Sequence, residues 1–152
     1  MYKRILVPVD GSDTSNKALV HALELARLGG GSVRLVHVFA DLVVTMPGYD
    51  LTGAFLDQMR AFADKTLGDS LAIAKAAGVP AEGKVLEAFG GRLGDLVEQE
   101  ARSFGADLVV VGTHGRRGIG RVLLGSGAEQ VIRLATVPVL VIRSPEASPA
   151  AA

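Results

Sequence analysis

The chain has 152 residues, 16 basic and 16 acidic side chains, and no cysteine, so one domain with its own core is expected and disulfides, thiolate metal sites and a cysteine nucleophile are excluded. Zero formal net charge and only 5% aromatic residues speak against a nucleic-acid footprint or a base-stacking platform. No apolar run reaches the ~20 residues that span a bilayer, and Met1-Tyr2-Lys3-Arg4 leads straight into a strand rather than a signal peptide, so a cytoplasmic protein is expected.

Lys3 to Val9 reads as a buried strand, with Pro8 tolerable near its end. Asp10-Gly11-Ser12-Asp13 then turns the chain and caps a helix through Ser12 or Asp13. That helix carries Ala18, Leu19, Ala22, Leu23, Leu25 and Ala26 at helical spacing and ends at Gly29-Gly30-Gly31. Val33 to Phe39 is a second strand. Asp41 to Thr52 is irregular and is placed to act as a lid. A long helix with Phe55, Met59, Phe62, Leu67, Leu71 and Ala74 follows, stopping near Gly78 and Pro80. Glu82 to Phe89 alternates polar and apolar residues, the mark of an edge strand half open to water. Gly90-Gly91 opens a helix with Leu93, Leu96, Val97, Ala101 and Phe104 on one side. Leu108 to Val111 is a short buried strand, Ala128 to Leu134 a last helix, and Val137 to Ile142 a final strand with Pro138 at its start. Residues 144–152 form a small-residue tail expected to be disordered, leaving residues 1–143 as the domain.

The segment from Gly112 to Gly127 joins a strand to a helix and holds six glycines with Arg116, Arg117 and Arg121. Glycines let backbone N–H groups approach a ligand, and the helix start behind them offers unpaired donors and a positive dipole end. These features point to a phosphate-binding loop, against the plainer reading of a turn with solvated arginines. The P-loop pattern G-x-x-x-x-G-K-[ST] is absent, and no G-x-G-x-x-G opens the first helix.

Strands alternating with helices give an α/β domain, a three-layer sandwich around a five-stranded, mostly parallel sheet. Placing the alternating strand at an edge and the continuous apolar strands inside gives the order 3-2-1-4-5. Asp10, at the end of the first strand, then meets Gly112, at the end of the fourth, at the switch point where such folds bind ligands.

The spacing Gly112-x-x-Gly115, then nine residues, then Gly125-Ser126 resembles the ATP-binding signature of the universal stress protein family. Ile5-Leu6-Val7-Pro8-Val9-Asp10-Gly11-Ser12, Val36-His37-Val38 and Val137-Pro138-Val139-Leu140-Val141-Ile142 resemble its first, second and last strands. The likeness runs from Lys3 to Arg143 and implies a Rossmann-like fold of the adenine nucleotide alpha hydrolase type, in the family's ATP-binding branch. It further implies that Pro8, Val9 and Asp10 line the nucleotide, with Asp10 near the ribose or a metal such as Mg or Mn carried with the phosphates. Val38 would offer main-chain groups to the adenine edge, Gly112 and Gly115 would let the chain pass close to ribose and phosphates, and Gly125, Ser126 and Gly127 would hold phosphates. Asp10 has a second reading as a turn cap, and Ser126 as an N-cap. Gly127 stands where the family often has an apolar residue.

His114 lies inside the loop, either against phosphate or in solvent. His37 reads as a packed, hydrogen-bonded strand residue and His21 as a helix-surface one. Without H-E-x-x-H spacing they give no zinc site, and Gly125-Ser126-Gly127 is no nucleophile elbow. No residue is assigned a catalytic role. Three functions stay open: a regulatory ATP-binding protein of the stress-response type, a slow ATPase or self-phosphorylating enzyme using Asp10 or His114, and a nucleotide-independent dimeric scaffold. The apolar strand Val137 to Ile142 at a sheet edge invites pairing with a second copy, so a homodimer is expected, with no nucleic-acid or membrane partner.

Overall fold

The computed structural model describes residues 1–40, 53–88, 90–113 and 124–143. The lid expected at Asp41 to Thr52, the loop residues His114, Gly115, Arg116, Arg117 and Arg121, and the tail 144–152 lie outside the described residues. The elements run β1 (Arg4–Pro8), α1 (Asp13–Gly29), β2 (Ser32–Ala40), α2 (Gly53–Ala76), β3 (Ala81–Ala88), α3 (Leu93–Phe104), β4 (Leu108–Gly112), α4 (Ser126–Leu134) and β5 (Val139–Ile142). All neighbouring strands are parallel, in the order β3-β2-β1-β4-β5. This is the order expected from the sequence.

The apolar runs explain the middle of the sheet. Ile5, Leu6, Val7, Val109 and Val110 are all fully buried, because β1 and β4 are covered on both faces. Right-handed crossovers put helices on opposite sides once the winding reverses after β3. One core therefore joins Ile5, Val7 and Leu35 to Leu19 and Leu23 of α1 and Leu67 of α2. The other joins Leu6, Val36 and Val109 to Val97 and Ala101 of α3 and Val131 of α4.

Element ends shift in instructive ways. Val9 falls outside β1 although its N–H still bonds the Val36 carbonyl at 2.8 Å. Strand β5 begins at Val139, not Val137, since Pro138 contributes only its carbonyl, accepting the Val109 N–H at 3.0 Å. Of the apolar residues expected along α2, Leu67 and Ala74 are buried together with Ala63, Thr66 and Ser70, while Phe55 is exposed. At 24 residues, α2 is about 36 Å long. No residue before Ala63 in it is buried, so its first turns lie away from the core.

Charges at the β3 edge are arranged, not merely solvated. Glu100 of α3, with its side chain only 5% exposed, holds Arg34 of β2 at 2.6 Å and Lys84 of β3 at 2.7 Å. Arg34 also grips Glu82 at 2.6 Å and lies 4.3 Å from the Phe104 ring centroid. Two cations and two anions thus close the open side of the sheet beneath α3.

Glu98 ties α3 to the approach of β5. Its carboxylate accepts the Thr136 N–H at 3.1 Å and the Thr136 hydroxyl at 2.7 Å, and pairs with Arg102 at 2.7 Å. Burial pushes its pKa upward, but the Thr136 hydroxyl, the Arg102 guanidinium and the Thr136 amide together bring it below the ordinary carboxylate value. A depressed folded-state pKa stabilises the protein above the unfolded value, about 4.3, and is lost as pH falls through the folded value. Denaturant titrations should therefore show Glu98→Gln less stable than wild type by about 1–2 kcal/mol at pH 7, with the gap closing below about pH 4. A gap of constant size across that range would contradict this account.

Candidate functional site

The first strand ends in a locked turn. Gly11 takes φ +81°, a left-handed conformation that glycine enters without a Cβ penalty. It sets the Ser12 N–H on Asp10 Oδ1 at 2.9 Å. Ser12 then caps α1, accepting the Ser15 N–H on its hydroxyl at 3.2 Å, and Ser15 Oγ accepts the Asp10 N–H at 3.1 Å. One oxygen of Asp10 is therefore engaged in holding the turn. Its Oδ2 has no hydrogen-bond partner among the described residues.

The fourth strand ends beside that turn. Strand β1 pairs with β4 through Ile5↔Leu108 and Leu6↔Val109, and the same register carried forward sets Asp10 level with Thr113. Gly112 packs against the first turn of α1. A Cβ there would fall 2.8 Å from Thr14 Cγ2 and 2.9 Å from the Thr14 carbonyl carbon and oxygen. Thr113 is buried, donates its N–H to the Ile142 carbonyl at 2.9 Å, and accepts the Gly125 N–H on its own carbonyl. The two ends of the glycine-rich segment are thus tied together at the carboxyl end of the sheet.

Helix α4 starts from that tie with Gly125 as its N-cap, and no side chain caps it. The Gly125 carbonyl accepts the Glu129 N–H at 2.9 Å. The amides of Ser126, Gly127 and Ala128 are the orphan donors of the first turn, and none has a protein partner among the described residues. The starts of α1 and α3 differ. Ser12 serves α1, and at α3 the Gly94 N–H is taken by Gln130 Oε1 at 3.1 Å. The open donors and positive dipole end of α4 therefore face the switch point, an arrangement that favours an anion.

Across the crevice, β2 runs past the end of β1. The Ser32 N–H bonds the Lys3 carbonyl and the Val36 carbonyl accepts the Val9 N–H, so even-numbered residues of β2 turn their main-chain groups toward β1. Val38 belongs to that set. Its N–H and C=O face the place that β1 has left, and neither has a main-chain partner there among the described residues. The Val38 side chain packs into the α3–α4 core.

The Usp family model, described as the universal stress protein family, matches residues 1–143. The chain belongs to the universal stress protein family. A universal stress protein of Methanocaldococcus jannaschii is 34% identical over 147 residues, covering 96% of this chain and 85% of that one. A crystal structure of a universal stress protein family member from Burkholderia pseudomallei superposes with a TM-score of 0.77 at 34% identity, covering 94% of this chain and 97% of that one. The universal stress protein from Archaeoglobus fulgidus in complex with dAMP is similar at a TM-score of 0.70 and 30% identity, covering 93% of this chain and 98% of that one.

Within this universal stress protein fold, Pro8, Val9, Asp10, Val38, Gly112, Gly125, Ser126 and Gly127 all lie at or next to the carboxyl ends of β1, β2 and β4. Ser126 is not the N-cap: Gly125 takes that place, and Ser126 is the first helical residue. Gly127 is not forced by crowding, since a Cβ there would meet Leu93 at an ordinary 3.6 Å. The readings of the histidines outside the loop hold. His37 is buried and hydrogen-bonded, and the His21 side chain is 54% exposed, 3.8 Å from Glu24. Among the described residues no three metal-ligating side chains converge. The sequence reading missed Thr14, Ser15 and Thr113. The small hydroxyl residues crowded at one helix start and one strand end were the available signal.

Proposed function

We propose that this universal stress protein is a regulatory adenine-nucleotide-binding protein that takes ATP at the crevice between the ends of β1 and β4. The observation that carries the reading is the start of α4, fastened to the end of β4, with its first-turn amides unpaired among the described residues. Phosphate oxygens fit those donors, Val38 supplies a main-chain donor and acceptor for the base edge, and Asp10 Oδ2, without a partner among the described residues, suits a ribose hydroxyl or a phosphate-borne Mg or Mn ion. Pro8 and Val9 would form the wall, while His114, Gly115, Arg116 and Arg117 would complete the phosphate side. The dAMP complex of the Archaeoglobus relative supports an adenine nucleotide here. Regulation is favoured over catalysis because the described site presents acceptors and donors but no paired base and nucleophile. Calorimetry with ATP is expected to show one site per chain. The absence of heat with ATP, ADP, AMP and cyclic AMP would favour a scaffold instead, and rapid phosphate release from saturating Mg-ATP, lost on His114→Ala, would favour an enzyme.

The same reading extends to assembly. Strand β5 is a sheet edge, and its even-numbered residues face β4, as the Pro138 and Ile142 carbonyls show. The N–H and C=O groups of Val139 and Val141 therefore point outward, a template for antiparallel pairing with a second copy across a two-fold axis. Val139 and Val141 pack their side chains into the core, so charge placed there disturbs the fold. Leu140 is exposed and gives the cleaner test. Leu140→Lys is expected to convert a dimer to monomer in light scattering at micromolar concentration, with thermal unfolding of the monomer still cooperative. A dimer of unchanged mass would rule out pairing through this edge.

A further inference from the structure

We infer that His37 is a positioning residue that keeps the main chain of Val38 open for the nucleotide base. The inference rests on the adenine reading above and concerns how the fold makes room for it. Between β1 and β2 the bonds follow a strict parallel alternation that begins at Ser32 N–H to Lys3 O and reaches Val9 N–H to Val36 O at 2.8 Å. The next rung of that ladder is Val38 N–H to Val9 O. It is absent. The Val9 carbonyl instead meets His37 Nδ1 at 2.8 Å.

A carbonyl only accepts, so Nδ1 carries the proton and donates it. The ring is buried at 7% exposure and held edge-on to Phe62 of α2, with centroids 5.8 Å apart. Nothing about the contact is loose. The side chain lies on the α1–α2 face while Val38 lies on the other, so His37 draws the Val9 carbonyl out of the sheet plane and away from the Val38 N–H. A buried carbonyl left with no donor would reclaim that N–H and close the strand edge, since an unpaired buried acceptor is costly. With His37 in place, both the donor and the acceptor of Val38 stay available to one planar heterocycle.

The test compares wild type, His37→Leu and His37→Asn, the last placing an amide N–H near the position of Nδ1. In nucleotide-free wild type the Val38 amide should exchange with deuterium at least tenfold faster than that of Val36. In His37→Leu the Val38 amide should become protected and the affinity for ATP should fall about tenfold, while binding of inorganic tripolyphosphate is unchanged. His37→Asn should restore both readings toward wild type. A Val38 amide already protected in free wild type overturns the proposal, as does fast exchange of that amide in a folded His37→Leu. Should His37→Leu not fold, the wild-type exchange rate and the nitrogen shifts of His37, expected to show a proton on Nδ1, decide the matter. If wild type binds no adenine nucleotide, the adenine reading fails, whereas the exchange rates still report on His37 alone.

Discussion

Gly125→Asp is expected to weaken ATP binding by at least a hundredfold, roughly 2.7 kcal/mol, without destabilising the protein. Gly125 sits at the N-cap of α4 with φ −58° and ψ 148°, a conformation open to any L residue. An aspartate there would turn its carboxylate onto the N–H groups of the first turn, the favoured capping interaction. Those are the same donors the phosphates need, and the new charge repels them. The helix gains a cap worth a few tenths of a kcal/mol over glycine, so the melting temperature should hold or rise while calorimetry loses its heat. ATP affinity equal to wild type would mean the phosphates are held elsewhere.

Gly112→Ala acts on the fold before it acts on any ligand. The added Cβ would meet Thr14 Cγ2 at 2.8 Å and the Thr14 carbonyl at 2.9 Å, and a helix backbone anchored by its Ser12 cap does not yield cheaply. Overpacking of this kind costs about 1–3 kcal/mol, and the upper end is expected because main-chain atoms receive the clash. Denaturant unfolding without nucleotide should show that loss in full. A variant as stable as wild type, yet unable to bind ATP, would return Gly112 to the role of a ligand-facing glycine only.

These two glycines show what the sequence could and could not convey. The sheet order was legible because β1 and β4 are continuous apolar runs while β3 alternates, a difference imposed by burial on two faces or one. The crevice was legible for the same reason, since order alone brings Asp10 to Gly112. The crowding at Gly112 was not, because it comes from Thr14, a contact that exists only once α1 folds back onto β4. The alternative reading of Ser126 as the cap of α4 fails because the hydrogen bond from Gly125 to Thr113, which fixes where the helix begins, joins residues across the glycine-rich segment. Glu100 with Arg34, and His37 with Val9, are partners 66 and 28 residues apart; periodicity shows which face a residue occupies but not whom it meets. The exposure of Phe55 was not legible either, because helical spacing continues past the point where α2 leaves its neighbours.

The most direct measurement is an amide NMR titration of the full chain with ATP. The account predicts shifts concentrated at Val9, Asp10, Val38, Thr113 and residues 125–127, with the Ser126 and Gly127 amides moving furthest as they take phosphate. Shifts clustered instead at the amino end of the strands, around Lys3 and Asp107, or a spectrum unmoved by saturating ATP, would contradict it.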